Sequence, residues 1–263
     1  THEKITTGKK ENTFGIELKD APIFFSKAST LSNVSMKSLA VHIGSQLLEL
    51  SPYKSAYEKI AEMTRYLRST GHEISHLDLG GGLGIPYSDE SLADLNAYNQ
   101  IILETVGDLD CKLSIEPGRY LVGEAGILIT RVIYIKQGEQ KKFVIVDGAM
   151  NDLIRPTLYD GFHGIVPVTE KNLSSQKSLC DVVGPICESG DYFAKDRMLP
   201  EVSQNDLLAI TCSGAYGAVM ASNYNSRPLI SEVLVSNDVF SVIRERQTFE
   251  KIIQDEKLAA WLQ

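Results

Sequence analysis

Short apolar runs and longer amphipathic stretches alternate along the first part of the chain. SLAVHI predicts a strand, and PYKSAYEKIAEMTRYLRSTG follows with the spacing of an amphipathic helix. That helix opens with Ser51 and Pro52 in N-cap and N1 positions and stops at Gly71. HLDL predicts the next strand, SLADLNAYNQIILETV the next helix and CKLSIEPG a third strand. Strand, helix, strand, helix implies parallel strands joined by crossovers. After residue 125 the pattern changes. GILITRVIYIK, KKFVIVDG, LCDVVG, DLLAITCSG and PLISEVLVS are β-rich with no long helix between them, which predicts a mostly antiparallel β-domain. SVIRERQTFEKIIQDEKLAAWLQ predicts a C-terminal amphipathic helix. The expected division is an α/β domain over residues 1–125 and a β-sandwich or barrel-like domain over 126–263.

Composition narrows the class. A chain of 263 residues, 43% hydrophobic, can build one large core or two smaller ones. No apolar run approaches the roughly 18 residues a membrane span needs, and THEKITTGKKENTFGI contains no signal-peptide apolar core. A net charge of −8 argues against nucleic-acid binding, which requires a basic face. Cys111, Cys180, Cys187 and Cys212 are scattered without a CxxC pair, so they read as reduced thiols of a cytosolic protein and not as a disulfide framework or zinc site.

Several motifs carry chemistry, each with an ordinary alternative. HEISH, residues 72 to 76, matches the zinc-protease pattern, but Gly71 ends the helix before His72 and His76 starts a strand. The imidazoles should not converge, and no metal is expected. DLGGGLGIPY, from residue 78, packs glycines behind an apolar strand. It is either a tight strand-to-helix turn or a phosphate cradle on the face where barrel enzymes bind ligands. SIEPGRY ends the third strand, where Glu116 and Arg119 form an ion pair or serve a cation and an anion separately. His42 ends the first strand on the same face, as a structural histidine or as a platform for a flat ring. Cys187 in GPICESGDYF is a buried inert thiol or a reactive one in a ligand pocket.

Taken in series, HIGSQ, LDLGGGLGIPY, EPGRYLVGEAG, DGAMNDLIRPTLYDGFH, GPICESGDYF and GAYGAVMASNYNSRP resemble the fold-type III, pyridoxal-phosphate-dependent decarboxylases, and most closely the diaminopimelate decarboxylases among them. The resemblance runs from about residue 12 to 230. It implies a TIM (β/α)8 barrel followed by a β-domain, in a homodimer whose subunits share active sites. It further implies that Gly80, Gly81 and Gly82 cradle the cofactor phosphate with Gly118, Arg119 and Tyr216. His42 would stack on the cofactor ring, and Glu116 would hold the proton on its ring nitrogen. Arg119, Arg155, Tyr159, Glu188 and Tyr216 would bind substrate, and Cys187 would reprotonate Cα, reaching in from the partner subunit.

Arg155 points to a substrate with a second carboxylate, and Glu188 to one with a distal ammonium. The expected reaction is therefore decarboxylation of meso-2,6-diaminopimelate to L-lysine, with carboxynorspermidine and ornithine or arginine-type decarboxylases as alternatives. A (β/α)8 barrel takes roughly 250 residues, twice what precedes the β-domain here. The family's Schiff-base lysine, in a YAxKA-like segment, has no counterpart, and Lys37 and Lys112 stand at the N-terminal ends of their strands. The expectation is a chain that begins inside the barrel, with TGKKENTFGI a mid-protein loop, and that is inactive alone. A non-catalytic homologue regulating a full-length partner is the rival from another class.

Overall fold

A computed structural model of the chain describes residues 14–262; TGKKENTFGI therefore lies mostly outside the described residues. The chain divides into two compact units, with the boundary after Glu124. The first unit carries three strands, β1 (Ser38–Ala40), β2 (His76–Gly81) and β3 (Lys112–Glu116), side by side in that order and all parallel. Helices α1 (Ala21–Ala28), α2 (Ser51–Ser69), α3 (Leu95–Val106) and α4 (Gly118–Val122) precede or follow them.

Helix α2 buries Tyr53, Tyr57, Ile60, Ala61, Thr64 and Leu67, a single stripe at helical spacing. Pro52 sits in its first turn, where a missing N–H costs nothing. It ends where Gly71 turns the chain at φ +91° and the His72 N–H bonds back to the Leu67 carbonyl at 3.0 Å. Helix α3 is capped by Asp94, whose carboxylate accepts from the Asn96 N–H at 2.8 Å. Between these helices β2 is the buried centre, with Leu77 and Leu79 in the core, whereas β1 and β3 are largely exposed. Fully burying a leucine contributes about 2–3 kcal/mol, so β2 anchors the unit.

The second unit is a six-stranded sheet built from β4 (Leu128–Gln137), β5 (Lys142–Val146), β6 (Ile165–Pro167), β7 (Lys177–Val183), β8 (Tyr192–Pro200) and β9 (Leu207–Ile210). The strand order is β6-β9-β4-β5-β7-β8, antiparallel except for the β5–β7 pair. The two end strands, β6 and β8, contact each other, so the sheet curls into a nearly closed barrel around Val132, Val144, Val182, Leu208 and Ile210. Short helices α5 (Arg155–Tyr159) and α6 (Glu170–Leu173) interrupt it.

The C-terminal segment differs from its prediction as one helix. Strands β10 (Glu232–Ser236) and β11 (Val239–Arg244) form an antiparallel hairpin, and helix is confined to α7 (Phe249–Ile253) and one 3-10 turn, Ala260–Leu262. The reason is local. Val242 and Ile243 are β-branched and stiff at χ1, and a facing strand of the same character supplies the ladder.

Candidate active site

The carboxyl ends of β1, β2 and β3 bring the first group of candidates together. His42 follows β1, the glycines end β2 and Glu116 ends β3. Gly81 pairs with Glu116 across a bulge in the β2–β3 register. The Gly81 N–H donates to His42 Nδ1 at 3.3 Å, which makes Nδ1 an acceptor and places the ring proton on Nε2. His42 is thus a neutral imidazole fixed by the glycine loop.

The glycines have a packing cause of their own. A Cβ on Gly80 would stand 2.1 Å from the Val41 carbonyl oxygen, one on Gly81 2.0 Å from that of Glu116, and one on Gly82 2.1 Å from that of Gly44. Main chain from the flanking strands lies where side chains would be. Gly80 and Gly82 also adopt φ +69° and +88°. The loop therefore needs three glycines to bring the three strand ends into contact, whatever else it holds. Within the loop the Gly80 N–H donates to the Asp78 carboxylate at 2.8 Å, as the Gly81 N–H does to His42.

Arg119 binds these ends to one another. It is buried, donates to the Tyr87 hydroxyl and to Ser45 Oγ at 3.3 Å, and stacks over the Tyr87 ring at 5.7 Å. Ser45 follows β1, Tyr87 follows β2 and Arg119 follows β3, so one guanidinium ties all three post-strand loops. The Gln46 side-chain amide donates to the Ile85 carbonyl at 2.5 Å and accepts from the Ile85 N–H at 3.3 Å. Ser45, Gln46 and Tyr87 lie within motifs the sequence displays, but their pairing spans tens of residues and no local spacing encodes it. Glu116, at the end of β3, is exposed.

HEISH behaves as its flanks imply. His76 Nε2 meets Ser114 Oγ at 2.9 Å, while the His72 ring packs on Phe25 at 5.5 Å. Among the described residues no group of His, Cys, Asp or Glu is placed to hold a metal.

In the second unit, Arg155 and Tyr159 bracket α5. Arg155 is buried and directs Nη1 at His163 Nε2, 2.7 Å away. The loop 184–191 carries Cys187 and Glu188, and Thr157 of α5 reaches it through the Gly190 carbonyl at 2.5 Å. Cys187 is exposed, which overturns its reading as a buried inert thiol. The Tyr224 hydroxyl donates to Glu188 at 2.5 Å and is itself raised above the usual phenol range by that carboxylate. Tyr216 is half-exposed on the adjacent loop, at φ +59°.

Buried carboxylates shape these loops. Asp191 accepts from the Met150 N–H at 2.7 Å and the Ile186 N–H at 2.6 Å, so it joins DGAMND to the residue before Cys187. Asp152 accepts from the Ala149 N–H at 2.9 Å and faces Arg227 at 3.6 Å. Burial pushes both carboxyls above the ordinary range despite these bonds. Neither residue stands out in the sequence as functional.

Comparison with known proteins decides the family. The family model described as "Pyridoxal-dependent decarboxylase, C-terminal sheet domain" matches residues 29–214. The chain belongs to the pyridoxal-dependent decarboxylases. It is 45% identical to diaminopimelate decarboxylase of Zymomonas mobilis over 100% of this chain and 62% of that protein. It is 47% identical to the protein of the same name from Neisseria meningitidis serogroup A, over 97% of this chain and 62% of that one. The structure of diaminopimelate decarboxylase from Helicobacter pylori complexed with L-lysine superimposes with a TM-score of 0.91 at 44% identity, covering 97% of this chain and 63% of that chain. The chain thus spans somewhat less than two thirds of the length of these relatives. Barrel strands followed by a β-domain, expected from the resemblance, agree with that fold.

Proposed function

We propose that this chain supplies the C-terminal part of a cytoplasmic, homodimeric decarboxylase that converts meso-2,6-diaminopimelate to L-lysine and CO2. The observation that carries the reading is the meeting of neutral His42, the Gly80–Gly82 backbone and Glu116 at three parallel strand ends, in a chain of this family. A glycine turn bare of side chains at strand carboxyl ends suits the close approach of a phosphate, and the imidazole and carboxylate beside it suit a flat cationic ring. Pyridoxal phosphate, when bound there, supplies a ring that accepts the electron pair left on Cα as CO2 departs.

The remaining roles belong to this chain's own side chains. Glu116 holds a proton at the ring nitrogen. His42 offers an uncharged face, so stacking on a protonated ring sets no two cations together. Gly118, Arg119 and Tyr216 complete the phosphate end, and Arg119 keeps the three loops in place through Ser45 and Tyr87. Arg155 takes the distal carboxylate, Glu188 the distal ammonium and Tyr159 joins them, a one-to-one matching of polar groups that rejects substrates lacking either one. The exposed Cys187 thiol delivers the proton that Cα needs after CO2 leaves. Similarity to diaminopimelate decarboxylases favours this substrate over a diamine precursor.

Two measurements test the reading. Full-length protein supplied with cofactor and meso-diaminopimelate should form L-lysine at rates typical of enzymes, and this 263-residue chain alone should not. Borohydride reduction with peptide mapping should find no specifically labelled lysine within the 263 residues. A stoichiometric pyridoxyl-lysine here, or a full-length protein that makes no lysine, overturns the proposal.

A further inference from the structure

His163 has no assigned role, yet among the described residues no other histidine is so enclosed: it is fully buried and both ring nitrogens are engaged. Its Nε2 lies 2.7 Å from Arg155 Nη1 and its Nδ1 2.8 Å from the Thr211 carbonyl oxygen. A guanidinium has only N–H donors and a carbonyl oxygen can only accept. These two partners leave one arrangement. Nε2 is unprotonated and accepts from Arg155, while Nδ1–H donates to Thr211. The side chain is a neutral imidazole in a single tautomer.

The surroundings hold it in that form. Arg155 of α5 faces the ring, and Arg197 of β8 donates to the His163 carbonyl oxygen at 2.7 Å while its guanidinium lies 3.9 Å over the neighbouring Phe162 ring. The end of β9 presents the Thr211 carbonyl. A second proton on the ring would put an N–H against the Arg155 guanidinium, with another cation close by. The histidine is therefore a fixed acceptor, not a proton carrier.

We propose that His163 is the positioning residue of Arg155, and that through it the protein sets its preference for ligands with a distal carboxylate. An arginine side chain has much rotamer freedom, and anchoring one Nη to a buried acceptor presents the planar fork in one orientation. The rigid chain of contacts runs from the end of β9 through the imidazole to α5. The inference deepens the proposed function, because it assumes that Arg155 meets a carboxylate of the substrate or product.

L-Lysine is the probe, since it keeps one amino-acid carboxylate and can be titrated without turnover. Its Kd is measured by calorimetry on full-length protein loaded with pyridoxal phosphate, for wild type, His163→Asn and His163→Gln. Asparagine can keep the bond to Thr211 but cannot reach Arg155. Glutamine can present an oxygen to Arg155 in place of Nε2. His163→Asn should weaken lysine about 10- to 100-fold, as loss of a buried bond to a charged group implies. His163→Gln should stay within about threefold of wild type. In turnover the asparagine variant should raise KM for meso-diaminopimelate by a similar factor with kcat little changed. Cofactor affinity, measured alongside, should be equal in all three proteins. Equal lysine Kd values in wild type and His163→Asn overturn the inference alone. A glutamine variant as weak as the asparagine variant also overturns it, since a merely structural histidine would give that result. A wild-type protein that binds neither cofactor nor lysine overturns the proposed function, and the inference with it.

Discussion

The two units hold their loops in shape by different physics. In the first unit, side chains are removed where three parallel strand ends converge, and backbone fills the space. Beside the Arg119 guanidinium, neutral hydroxyls support β2 itself: Tyr53 donates to the Gly81 carbonyl and Tyr57 to that of Leu79, both at 3.2 Å. In the second unit, charged groups are buried and saturated. Asp191 reaches Met150 from 41 positions away, Asp152 faces Arg227, and Arg155 holds His163 just beyond α5. The first arrangement is rigid through steric exclusion, the second through electrostatics, and the two should fail differently when perturbed.

The largest effect is expected where exclusion is tightest. Gly81→Ala places a methyl 2.0 Å from the Glu116 carbonyl oxygen, and the obstacle is strand backbone, not a mobile side chain. Either β3 moves or the bulge is lost. Overpacking of this kind costs about 3 kcal/mol or more. Gly118→Ala is the matched control, because nothing lies within 4 Å of its would-be Cβ. It should change stability by less than ~0.5 kcal/mol. Chemical denaturation of the three proteins checks the pair, and a Gly81→Ala protein as stable as the control would refute the packing account.

Next comes the electrostatic counterpart. Asp191 receives one amide N–H on each carboxylate oxygen, and Asp191→Asn must turn its NH2 toward one of them. A buried N–H then loses its acceptor, at about 1–3 kcal/mol. The variant should also alter the pH dependence. Burial is the first cause of the raised Asp191 carboxyl, opposed by the Met150 and Ile186 amides. With the folded value above the unfolded one near about 4, the folded state binds more protons between those two values. Across that window stability from this group falls as pH rises. Asp152 contributes with the same sign, again because burial outweighs its amide and arginine partners. Urea unfolding at stepped pH should show a shallower decline in Asp191→Asn than in wild type. A steeper decline would reverse the assignment.

The same contrast explains what the sequence reveals. The parallel strands and their helices are written in local periodicity: α2 announces itself with Pro52, an apolar stripe and Gly71. His42, the glycines and Glu116 are legible because each ends a strand on one face. Strand β8 is not, since YFAKDRMLP breaks alternation with Lys195, Asp196 and Arg197, and Asp196 takes φ +49°. Strand β11 reads as helix until its partner β10 is known. The supporting residues are hidden for a related reason. Ser45 lies 74 positions from Arg119, Asp191 41 from Met150 and His163 48 from Thr211, so their roles exist only in three dimensions.

The smallest effect separates the two designs most cleanly. Tyr57→Phe removes a hydroxyl that donates to the Leu79 carbonyl and shares a 2.8 Å bond with the Tyr98 hydroxyl. The ring and its packing on Tyr53 and Tyr98 remain. Loss of a neutral bond should cost about 1 kcal/mol. Burial, reinforced by Tyr98, holds the Tyr57 hydroxyl far above the ordinary phenol range, so it stays protonated through neutral and moderately alkaline pH. The difference between Tyr57→Phe and wild type should therefore be flat across the pH range in which Asp191→Asn departs from wild type by a changing amount. Denaturation curves collected at the same pH values for both variants give the comparison directly. A pH-dependent Tyr57→Phe difference would mean that the Tyr57 hydroxyl is coupled to a titrating group and does not act as a neutral support of β2.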